Sequence, residues 1–460
     1  MNANEFSSLS LKPALLENIK SLGYSQLTPI QAESLPHILD GKDVIAQAKT
    51  GSGKTAAFGI GLLTKLELNK FRVQALVICP TRELADQVCQ EIRRLARFTQ
   101  NCKVLSLCGG TPFSPQRSSL EKGVHIVVGT PGRLQDHLNK GSLGLDDLKV
   151  LVLDEADRML DMGFEDSIKE IVSYAPSQRQ TLLFSATYPE SIRQISKQFQ
   201  FKPISLSIDT QHQKNDIEQF FYQVNRVKKE NALGYLLSFY KPESTLIFCN
   251  TKKDCHDVAI ALDNIGFSVQ AIHGDLEQKD RNQVLVRFAN KSCSILVATD
   301  VAARGLDIKE LQMVINYELP WDPEVYVHRI GRTGRAGKKG LALSLCSEKE
   351  LKRVTAVEEY LNISAKWDEL APFQMKYEKR LDAPMVTLWI GGGRKNKVRP
   401  GDILGALTGN TGIEGNKVGK IDVFDNHAYV AIMRESADKA LQCLKKGKVK
   451  GRNFNVHKSQ

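Results

Sequence analysis

The sequence predicts an α/β protein with two tandem parallel-sheet domains and a small α+β domain after them. Short, continuous apolar runs alternate with longer helical patterns, as buried parallel strands do. The same succession of runs recurs in the second part of the chain, which indicates two domains of one kind. Near the C-terminus the runs change to an alternation of period two, typical of antiparallel strands with one exposed face.

The first half contains the apolar runs of "QALVIC", "VHIVVGT", "KVLVLDEAD" and "TLLFSAT", each bounded by turn residues. The strand and helix start in "ALVICPTREL" resemble "TLIFCNTKKD" of the second half, and "HIVVGTPGR" similarly matches "SILVATDVAAR". The polar stretch 208–216 lacks any pattern and is predicted to join the halves. We therefore expect a first domain over residues 1–207 and a second over 217–365.

The third domain is predicted over residues 383–460, after a segment at 366–383 that mixes charge and proline. Its runs "VTLWIGGG" and "HAYVAIM" alternate like strands, and "DILGALTGN" and "SADKALQCLKK" have helical patterns. The resulting β–α–β–β–α–β order is typical of a ferredoxin-like sheet.

Charge is concentrated in this third domain. The chain has a net charge of +11, and from Ala383 onward 14 Lys and Arg stand against 6 Asp and Glu. A basic terminal module indicates a polyanionic partner, most often nucleic acid, although a solvated charged surface is the alternative.

The nine cysteines include no C-x-x-C pair and are interpreted as buried core residues. The N-terminus has no signal-peptide pattern, and no apolar run is long enough to span a membrane. We therefore expect a soluble, cytoplasmic protein without a membrane partner, acting as a monomer.

The segment "AQAKTGSGKT" follows the apolar run "DVIA" and ends in a P-loop signature. Lys54 is predicted to place its charge on β- and γ-phosphate oxygens, and Thr55 to offer its hydroxyl to Mg²⁺. The usual first glycine is replaced by alanine. The predicted nucleotide-binding residues are Ala48, Lys49, Thr50, Gly51, Ser52, Gly53, Lys54 and Thr55.

The run "VLVLDEAD" places Asp154 and Glu155 at the carboxyl end of a strand, where α/β sites lie. An Asp at this point holds Mg²⁺, and a neighbouring Glu polarises the attacking water. A solvated acidic turn is the alternative, but it fits poorly beside a P-loop. The two motifs together predict a nucleotide-hydrolysing enzyme.

The segment "HRIGRTGRAG" at 328–337 places three arginines in a glycine-rich turn of the half that has no P-loop. Arginines of this kind stabilise charge on a transferring phosphoryl group. We predict that role for Arg332 and Arg335. The alternative, that these arginines are simple surface charges, remains open.

The motifs resemble those of the DEAD-box RNA helicases. That family is named after the one-letter sequence of its acidic motif, which here is formed by residues 154–157. The resemblance covers roughly Phe6 to Lys366 and includes "GYSQLTPIQ", "PTRELA", "TPGR", "SAT" and "ATDVAARGLD". It implies two RecA-like domains, an ATP-dependent RNA helicase activity and the cofactor Mg²⁺. At the nucleotide, it implies that Gln31 recognises adenine, that Phe6 and Tyr24 stack on the base, and that Asp307 contacts the ribose. It also implies that His328 and Arg329 organise the interface with the acidic motif.

The resemblance also implies contacts to the sugar-phosphate backbone of RNA, which small residues and backbone amides suit. Ser185 and Thr187 are expected to couple ATP and RNA binding, and an ordinary polar strand end is the alternative. The implied RNA-binding residues are Pro80, Thr81, Arg82, Gly109, Gly110, Thr130, Pro131, Gly132, Arg133, Gly274, Arg281 and Thr299.

In the third domain, period two places Trp389 and Tyr429 on the face predicted to be open, where an RRM-like module stacks bases. A core position for Trp389 is nearly as good an interpretation. Basic loops are the other predicted RNA contacts: Arg394, Lys395, Lys397, Arg399, Lys445, Lys446, Lys448, Lys450 and Arg452.

This domain resembles the carboxyl-terminal domain of the bacterial DbpA subgroup. The resemblance implies tethering to a hairpin of 23S ribosomal RNA and action on 50S assembly intermediates. The alternative is a nucleotide-switched RNA clamp or chaperone with little unwinding.

Overall fold

Three sheets organise the chain: two parallel sheets of seven strands and one antiparallel sheet of four. The structure, a computed structural model, describes residues 5–48, 51–207, 217–224, 229–303, 311–334, 339–370, 382–409 and 413–459. These residues form two compact units, one ending at Ser207 and the other beginning at Ile217. The predicted fold class is confirmed.

The first sheet has the strand order β3-β4-β2-β5-β6-β1-β7. Helices cover both faces, so its central strands are buried along their whole length. The strands are β1 (Val44–Gln47), β2 (Ala75–Ile78), β3 (Val104–Leu107), β4 (Ile126–Gly129), β5 (Val150–Asp154), β6 (Gln180–Ser185) and β7 (Ile204–Ser207). The helices are α1 (Pro13–Ser21), α2 (Pro29–Leu39), α3 (Lys54–Lys65), α4 (Arg82–Leu95), α5 (Phe113–Glu121), α6 (Pro131–Asn139), α7 (Ala156–Asp161), α8 (Glu165–Ser173) and α9 (Glu190–Phe199).

The second sheet has the strand order β10-β11-β9-β12-β13-β8-β14, which is the order of the first sheet with seven added to every label. The strands are β8 (Ile217–Gln223), β9 (Thr245–Cys249), β10 (Val269–Ile272), β11 (Ile295–Thr299), β12 (Met313–Asn316), β13 (Gly340–Cys346) and β14 (Trp367–Asp368). The helices are α10 (Lys229–Tyr240), α11 (Lys252–Asn264), α12 (Gln278–Ala289), α13 (Asp300–Ala303), α14 (Pro323–Ile330) and α15 (Leu351–Leu361).

The repeat noticed in the sequence is therefore present in the fold. "ALVICPTREL" forms β2 and the start of α4, and "TLIFCNTKKD" forms β9 and the start of α11. A threonine caps each helix in the same way: Thr81 Oγ1 accepts from the amide of Leu84 at 3.3 Å, and Thr251 Oγ1 from that of Asp254 at 3.0 Å.

The third sheet has the strand order β16-β17-β15-β18, and one of its faces packs on two helices through residues such as Leu388, Val430, Ile403 and Leu444. The chain order is the predicted β–α–β–β–α–β. The elements are β15 (Met385–Ile390), α16 (Pro400–Thr408), β16 (Val418–Val423), β17 (Ala428–Met433), α17 (Ala437–Lys446) and β18 (Val456–Lys458).

The other face of this small sheet is attached to the end of α12. Asn290 Nδ2 donates to Thr387 Oγ1 at 2.9 Å, and Ser292 Oγ lies 2.8 Å from the same hydroxyl. The amide of Met385 donates to the carbonyl of Lys291 at 3.3 Å. The side chains of Asn290, Ser292 and Thr387 are all buried. The third domain is thus fixed to the second through satisfied, buried hydrogen bonds.

Across the helices that the structure describes, none combines the length and apolarity that crossing a membrane requires.

Candidate nucleotide and RNA sites

The P-loop connects β1 to α3 through glycines that no other residue could replace without strain. Gly51 and Gly53 have φ values of 87° and 99°, in the left-handed region. A Cβ on Gly53 would lie 2.5 Å from Gln31 Nε2. Gly53 is the N-cap of α3, so the free amides and the positive dipole end of this helix face the loop. The predicted Lys49 and Thr50 lie outside the described residues.

Lys54 is the first residue of α3, and only 6% of it is exposed. Within the described part of the chain, its Nζ has no hydrogen-bond partner, and Ser52 Oγ also has none. A buried ammonium group without a partner is unfavourable unless an anion reaches it. The site therefore fits the phosphates of a nucleotide.

Asp154 ends β5 and is buried. Burial raises the pKa of this carboxyl well above its usual range; the charge of Lys54 opposes the rise and that of Glu155 adds to it. A divalent cation would favour the ionised form, so Asp154 and the half-buried Thr55 suit Mg²⁺.

Glu155 adopts a left-handed backbone, with φ 53° and ψ 52°, directly after the strand. For a residue other than glycine this conformation costs about 1–3 kcal/mol and is common at functional sites. Arg158 Nη1 lies 2.6 Å from Glu155 Oε2, and both side chains are buried. Arg158 was not predicted from the sequence; its i, i+3 spacing from Glu155 is the signal that could have identified it.

The acidic motif and the "SAT" segment are in direct contact. Asp157 Oδ2 accepts from the amide of Thr187 at 2.8 Å and from its hydroxyl at 3.0 Å. Ser185 Oγ accepts from the amide of Asp157 at 3.3 Å. Burial alone would raise the pKa of Asp157, but these hydrogen bonds and the charge of Lys54 outweigh it, and the pKa is lowered. Both predicted coupling residues thus contact the ionised Asp157, for which no role was predicted from the sequence.

The adenine motif is built around Gln31, which is 2% exposed. Its Oε1 accepts from the amide of Thr28 at 3.0 Å, and its Nε2 donates to the carbonyl of Gly53 at 3.1 Å. Gln31 therefore links this motif to the P-loop. Phe6 is buried against Tyr24, with ring centroids 6.1 Å apart, so little of its ring remains to stack on a base. Stacking by Phe6 and Tyr24 stays a prediction.

The RNA motifs predicted in the first domain lie at the carboxyl ends of β2, β3 and β4, which are neighbours in the sheet. α4 and α6 begin there, at Arg82 and Pro131, with Thr81 and Thr130 as their N-caps. A Cβ on Gly109 would lie 2.9 Å from Arg82 Nη2, so the arginine packs over the glycine. Pro80, Gly110 and Gly132 belong to the same edge, which gathers helix N-termini suited to phosphate groups.

The side chain of Arg133 forms hydrogen bonds within the first domain. Its Nη1 donates to the carbonyl of Thr111 at 3.0 Å and to Gln116 Oε1 at 2.6 Å. The side chain therefore holds the start of α5 in place, and its contact with RNA stays a prediction.

In the second domain, Gly274 follows β10, and Thr299 ends the adjacent β11. Arg281 lies in the first turn of α12, and its Nη1 is 3.4 Å from the carbonyl of His273. This edge corresponds, strand for strand, to the edge that carries the motifs of the first domain.

Arg329 is 1% exposed and is enclosed by hydrogen bonds. Its Nε and Nη2 each lie 2.7 Å from Asp300 carboxylate oxygens, Nη2 lies 2.8 Å from Asn250 Oδ1, and Nη1 lies 2.6 Å from the carbonyl of Glu318. It therefore joins the ends of β9, β11 and β12 to α14. Asp300 and Asn250 were not predicted from the sequence.

The other residues of the arginine motif differ in their surroundings. Arg332 is also buried, so simple surface charge is the wrong interpretation for both Arg329 and Arg332. His328 Nε2 lies 3.8 Å from Glu324 Oε1. Arg335 and Asp307 lie outside the described residues.

Trp389 lies on the sheet face away from the helices, opposite Tyr429 on one side and His457 on the other. Its ring stacks on His457, with centroids 4.7 Å apart, and remains partly exposed. The core interpretation under a helix is therefore wrong. Tyr429 shares this face but is only 4% exposed, and its ring packs edge-on against Phe424 and His427, with centroids 5.8 and 5.2 Å apart. The expectation that Tyr429 sits on an open surface is corrected accordingly.

All nine predicted basic residues of the third domain are exposed. Four lie in the segment 394–399 and five at the end of α17 and directly after it, and the two segments meet where Lys450 Nζ donates to the carbonyl of Lys397 at 2.6 Å. They form one basic surface, called here the basic patch: Arg394, Lys395, Lys397, Arg399, Lys445, Lys446, Lys448, Lys450 and Arg452.

Comparisons with known proteins agree with this geometry. Residues 28–195 match the DEAD/DEAH box helicase family, 228–337 the helicase conserved C-terminal domain, and 387–458 the DbpA RNA binding domain. The chain is 55% identical to the ATP-dependent RNA helicase DbpA of Escherichia coli, with 98% of each chain covered. It is 36% identical to the same-named protein of Bacillus subtilis, with 99% of each covered. A structure of S. cerevisiae Dbp5 bound to RNA and ADP BeF3 has a TM-score of 0.72 at 31% identity, covering 80% of this chain and 96% of that one.

Proposed function

The chain belongs to the DEAD-box family of ATP-dependent RNA helicases, in the DbpA subgroup, and from this premise we propose where on RNA it acts. It is an RNA-stimulated ATP hydrolase and helicase. We propose that its third domain binds a hairpin of 23S ribosomal RNA, and that the helicase domains unwind short duplexes nearby during assembly of the 50S ribosomal subunit. In this proposal it acts in the cytoplasm as a monomer.

The basic patch carries this proposal. Its nine cations are exposed, while part of the stacking face of the same domain is used to attach it to α12. Phosphate contacts give affinity without base recognition, and a structured hairpin presents phosphates in a fixed arrangement. A domain that holds one RNA raises the effective concentration of neighbouring duplexes for helicase domains that read no sequence.

At the nucleotide, Lys54 binds the β- and γ-phosphates, and Glu155 orients the attacking water. Thr55 and Asp154 would hold Mg²⁺, which neutralises phosphate charge when bound. Arg332 and Arg335 supply positive charge to the phosphoryl group in transit. Gln31 selects adenine, Phe6 and Tyr24 pack against it, and Asp307 contacts the ribose.

ATP and RNA binding are coupled through Asp157. Its carboxylate receives two hydrogen bonds from Thr187, in the segment after β6, and lies next to the residues that handle phosphate. The RNA contacts come from the loop edges after β2, β3, β4, β10 and β11. Together these contacts bend one strand and separate a short duplex locally.

The test is ATP hydrolysis measured against the concentration of a 23S ribosomal RNA hairpin fragment and of an unrelated hairpin of equal length. The full chain is expected to reach half-maximal stimulation at roughly 10²-fold lower concentration with the ribosomal fragment. A chain ending at Ala383 should lose that preference and keep its response to the unrelated RNA. An equal response of the full chain to both RNAs would contradict the proposal, and single-turnover hydrolysis without strand separation would favour an RNA clamp.

A further inference from the structure

The second parallel-sheet domain contains a lysine in the place that Lys54 has in the first. Both sheets have the same strand order, so β8 corresponds to β1 and α10 to α3. Each helix is 12 residues long and has a buried lysine as its first residue, Lys54 in one and Lys229 in the other. The strand, the helix and the buried lysine at the start of the helix are thus present twice; residues 225–228, which precede α10, lie outside the described residues.

The two lysines have opposite surroundings. Lys54 Nζ has no hydrogen-bond partner within the described residues. Lys229 Nζ donates to Glu350 Oε2 at 2.7 Å and to the carbonyl of Tyr317 at 2.8 Å. Lys229 and Glu350 are both at least nine-tenths buried, so the pair is shielded from water. A second cation, Arg353 Nη1, lies 3.9 Å from Glu350 Oε1.

The carboxylate of Glu350 receives hydrogen bonds as a phosphate group would. Besides Lys229, its Oε2 accepts from the amide and the hydroxyl of Ser347 at 2.9 and 2.6 Å. Its Oε1 accepts from the amide of Leu319 at 3.1 Å. The Ser347 contacts are the capping box of the turn 348–350, and the Leu319 amide follows β12, so these amides come from other segments than those of the P-loop. The carboxylate is nevertheless surrounded by one lysine and two backbone amides, the kinds of donor that a P-loop offers to phosphate.

The position of the Mg²⁺ ligand has changed as well. Ala75 of β2 pairs with Val150, and Thr245 of the corresponding β9 pairs with Met313. Counting four residues from each of these partners places Tyr317 at the position of Asp154. The Tyr317 ring lies 5.5 Å from Lys229 Nζ, so an aromatic ring stands where the first domain has a metal-binding carboxylate.

We propose that the second domain is a phosphate-binding frame closed by its own carboxylate, with Glu350 occupying the position of a nucleotide phosphate on Lys229. This inference rests on contacts within the second domain and holds whichever RNA the protein binds.

The test removes the carboxylate of Glu350 and supplies formate in its place. In the full-length Glu350→Ala variant, Lys229 loses its counter-ion, and a small carboxylate should enter the vacated space. Hydrogen–deuterium exchange of α10 is measured in sodium formate and in sodium chloride at equal ionic strength. In chloride, exchange in Glu350→Ala should be at least about tenfold faster than in the unmodified protein. In formate most of that increase should disappear.

The controls separate this effect from general salt effects. Glu348→Ala, an exposed glutamate of the same turn, should exchange like the unmodified protein in both salts. Lys229→Met/Glu350→Ala should not respond to formate, and the P-loop of the first domain is common to all variants. No response to formate in Glu350→Ala, or an equal response in the double variant, overturns the proposal. If Glu350→Ala does not fold in chloride, it should refold in formate, and failure in both salts contradicts the proposal equally.

Discussion

Arg329 shows that a residue's type and spacing in the sequence do not determine which partners its side chain will have. The glycine-rich turn presents three arginines that look equivalent in the sequence. Burial and the hydrogen bonds that Arg329 donates to Asp300, Asn250 and Glu318 make it a structural anchor within its own domain. These partners are 11 to 79 residues away along the chain, so no local pattern could identify them.

Replacing this anchor should therefore affect stability first. Arg329→Ala removes the side chain that joins these segments to α14 and leaves the Asp300 carboxylate without this cation, so we expect the free energy of unfolding to fall by about 3–5 kcal/mol. Chemical denaturation of the full chain measures the change. Arg193→Ala, which removes an exposed ion pair with Glu190, is the matched control and should change stability by less than about 1 kcal/mol.

The contact of Thr187 with Asp157 allows a second prediction for a single side chain. Thr187→Val removes the 3.0 Å hydrogen bond from the hydroxyl and keeps the amide contact and the side-chain shape. The loss of a hydrogen bond to an ionised group is worth about 1.5 kcal/mol, so strand separation per ATP hydrolysed should fall about tenfold. Parallel assays of unwinding and hydrolysis give this ratio. Thr64→Val, whose hydroxyl bonds only within α3, should leave the ratio unchanged, and a matching drop there would refute the coupling.

At the scale of elements, the buried strands were predictable because their apolar runs are continuous. β2, β4, β5, β9 and β11 all coincide with runs identified in the sequence. β14 was not predicted: it has two exposed residues in the mixed segment near 366–383, and it exists because its backbone pairs with β8. The alternation of period two correctly predicted which residues of β15 and β17 share a face of the sheet. It could not show that one face is attached to α12, since that attachment depends on residues nearly a hundred positions away.

The attachment of the small sheet to α12 can be tested by replacing the hydroxyl of Thr387 with a methyl group. Thr387→Val should leave the buried polar groups of Asn290 and Ser292 without their partner, at a cost of about 1–3 kcal/mol. Exchange of amide hydrogens in β15 should then rise about tenfold. Thr355→Val, at an exposed position on α15, should leave that exchange unchanged. Unchanged exchange in Thr387→Val would mean that the small sheet is held in place by other contacts.

At the scale of the whole molecule, charge is distributed very unevenly, and this was visible in the sequence alone. The sequence could not show that two separate basic loops join into one surface, because that depends on the contact between Lys450 and Lys397. Binding through such a surface should weaken as salt rises, since each phosphate contact releases counter-ions.

This dependence gives a quantitative prediction for the basic patch. Replacing Lys445, Lys446 and Lys448 by Ala should reduce the slope of log affinity against log salt by about 2–3, since each phosphate contact contributes roughly 0.7–0.9. Fluorescence anisotropy with labelled RNA over a salt series measures the slope. Replacing the exposed Lys20, Lys197 and Lys202 of the first domain by Ala changes the net charge equally. If both triple variants shift the slope alike, general attraction and not the patch dominates.

The common strand order of the two sheets is the pattern that duplication of an ancestral domain leaves behind. After such an event the copies are under different selection: one must keep a vacancy for its substrate, and the other is free to fill the same vacancy with its own side chains. In the second copy, the carboxylate of Glu350 gives the buried lysine a partner in the absence of any nucleotide. One copy can thus keep the nucleotide-binding loop while the other contributes arginines, and both retain a single architecture.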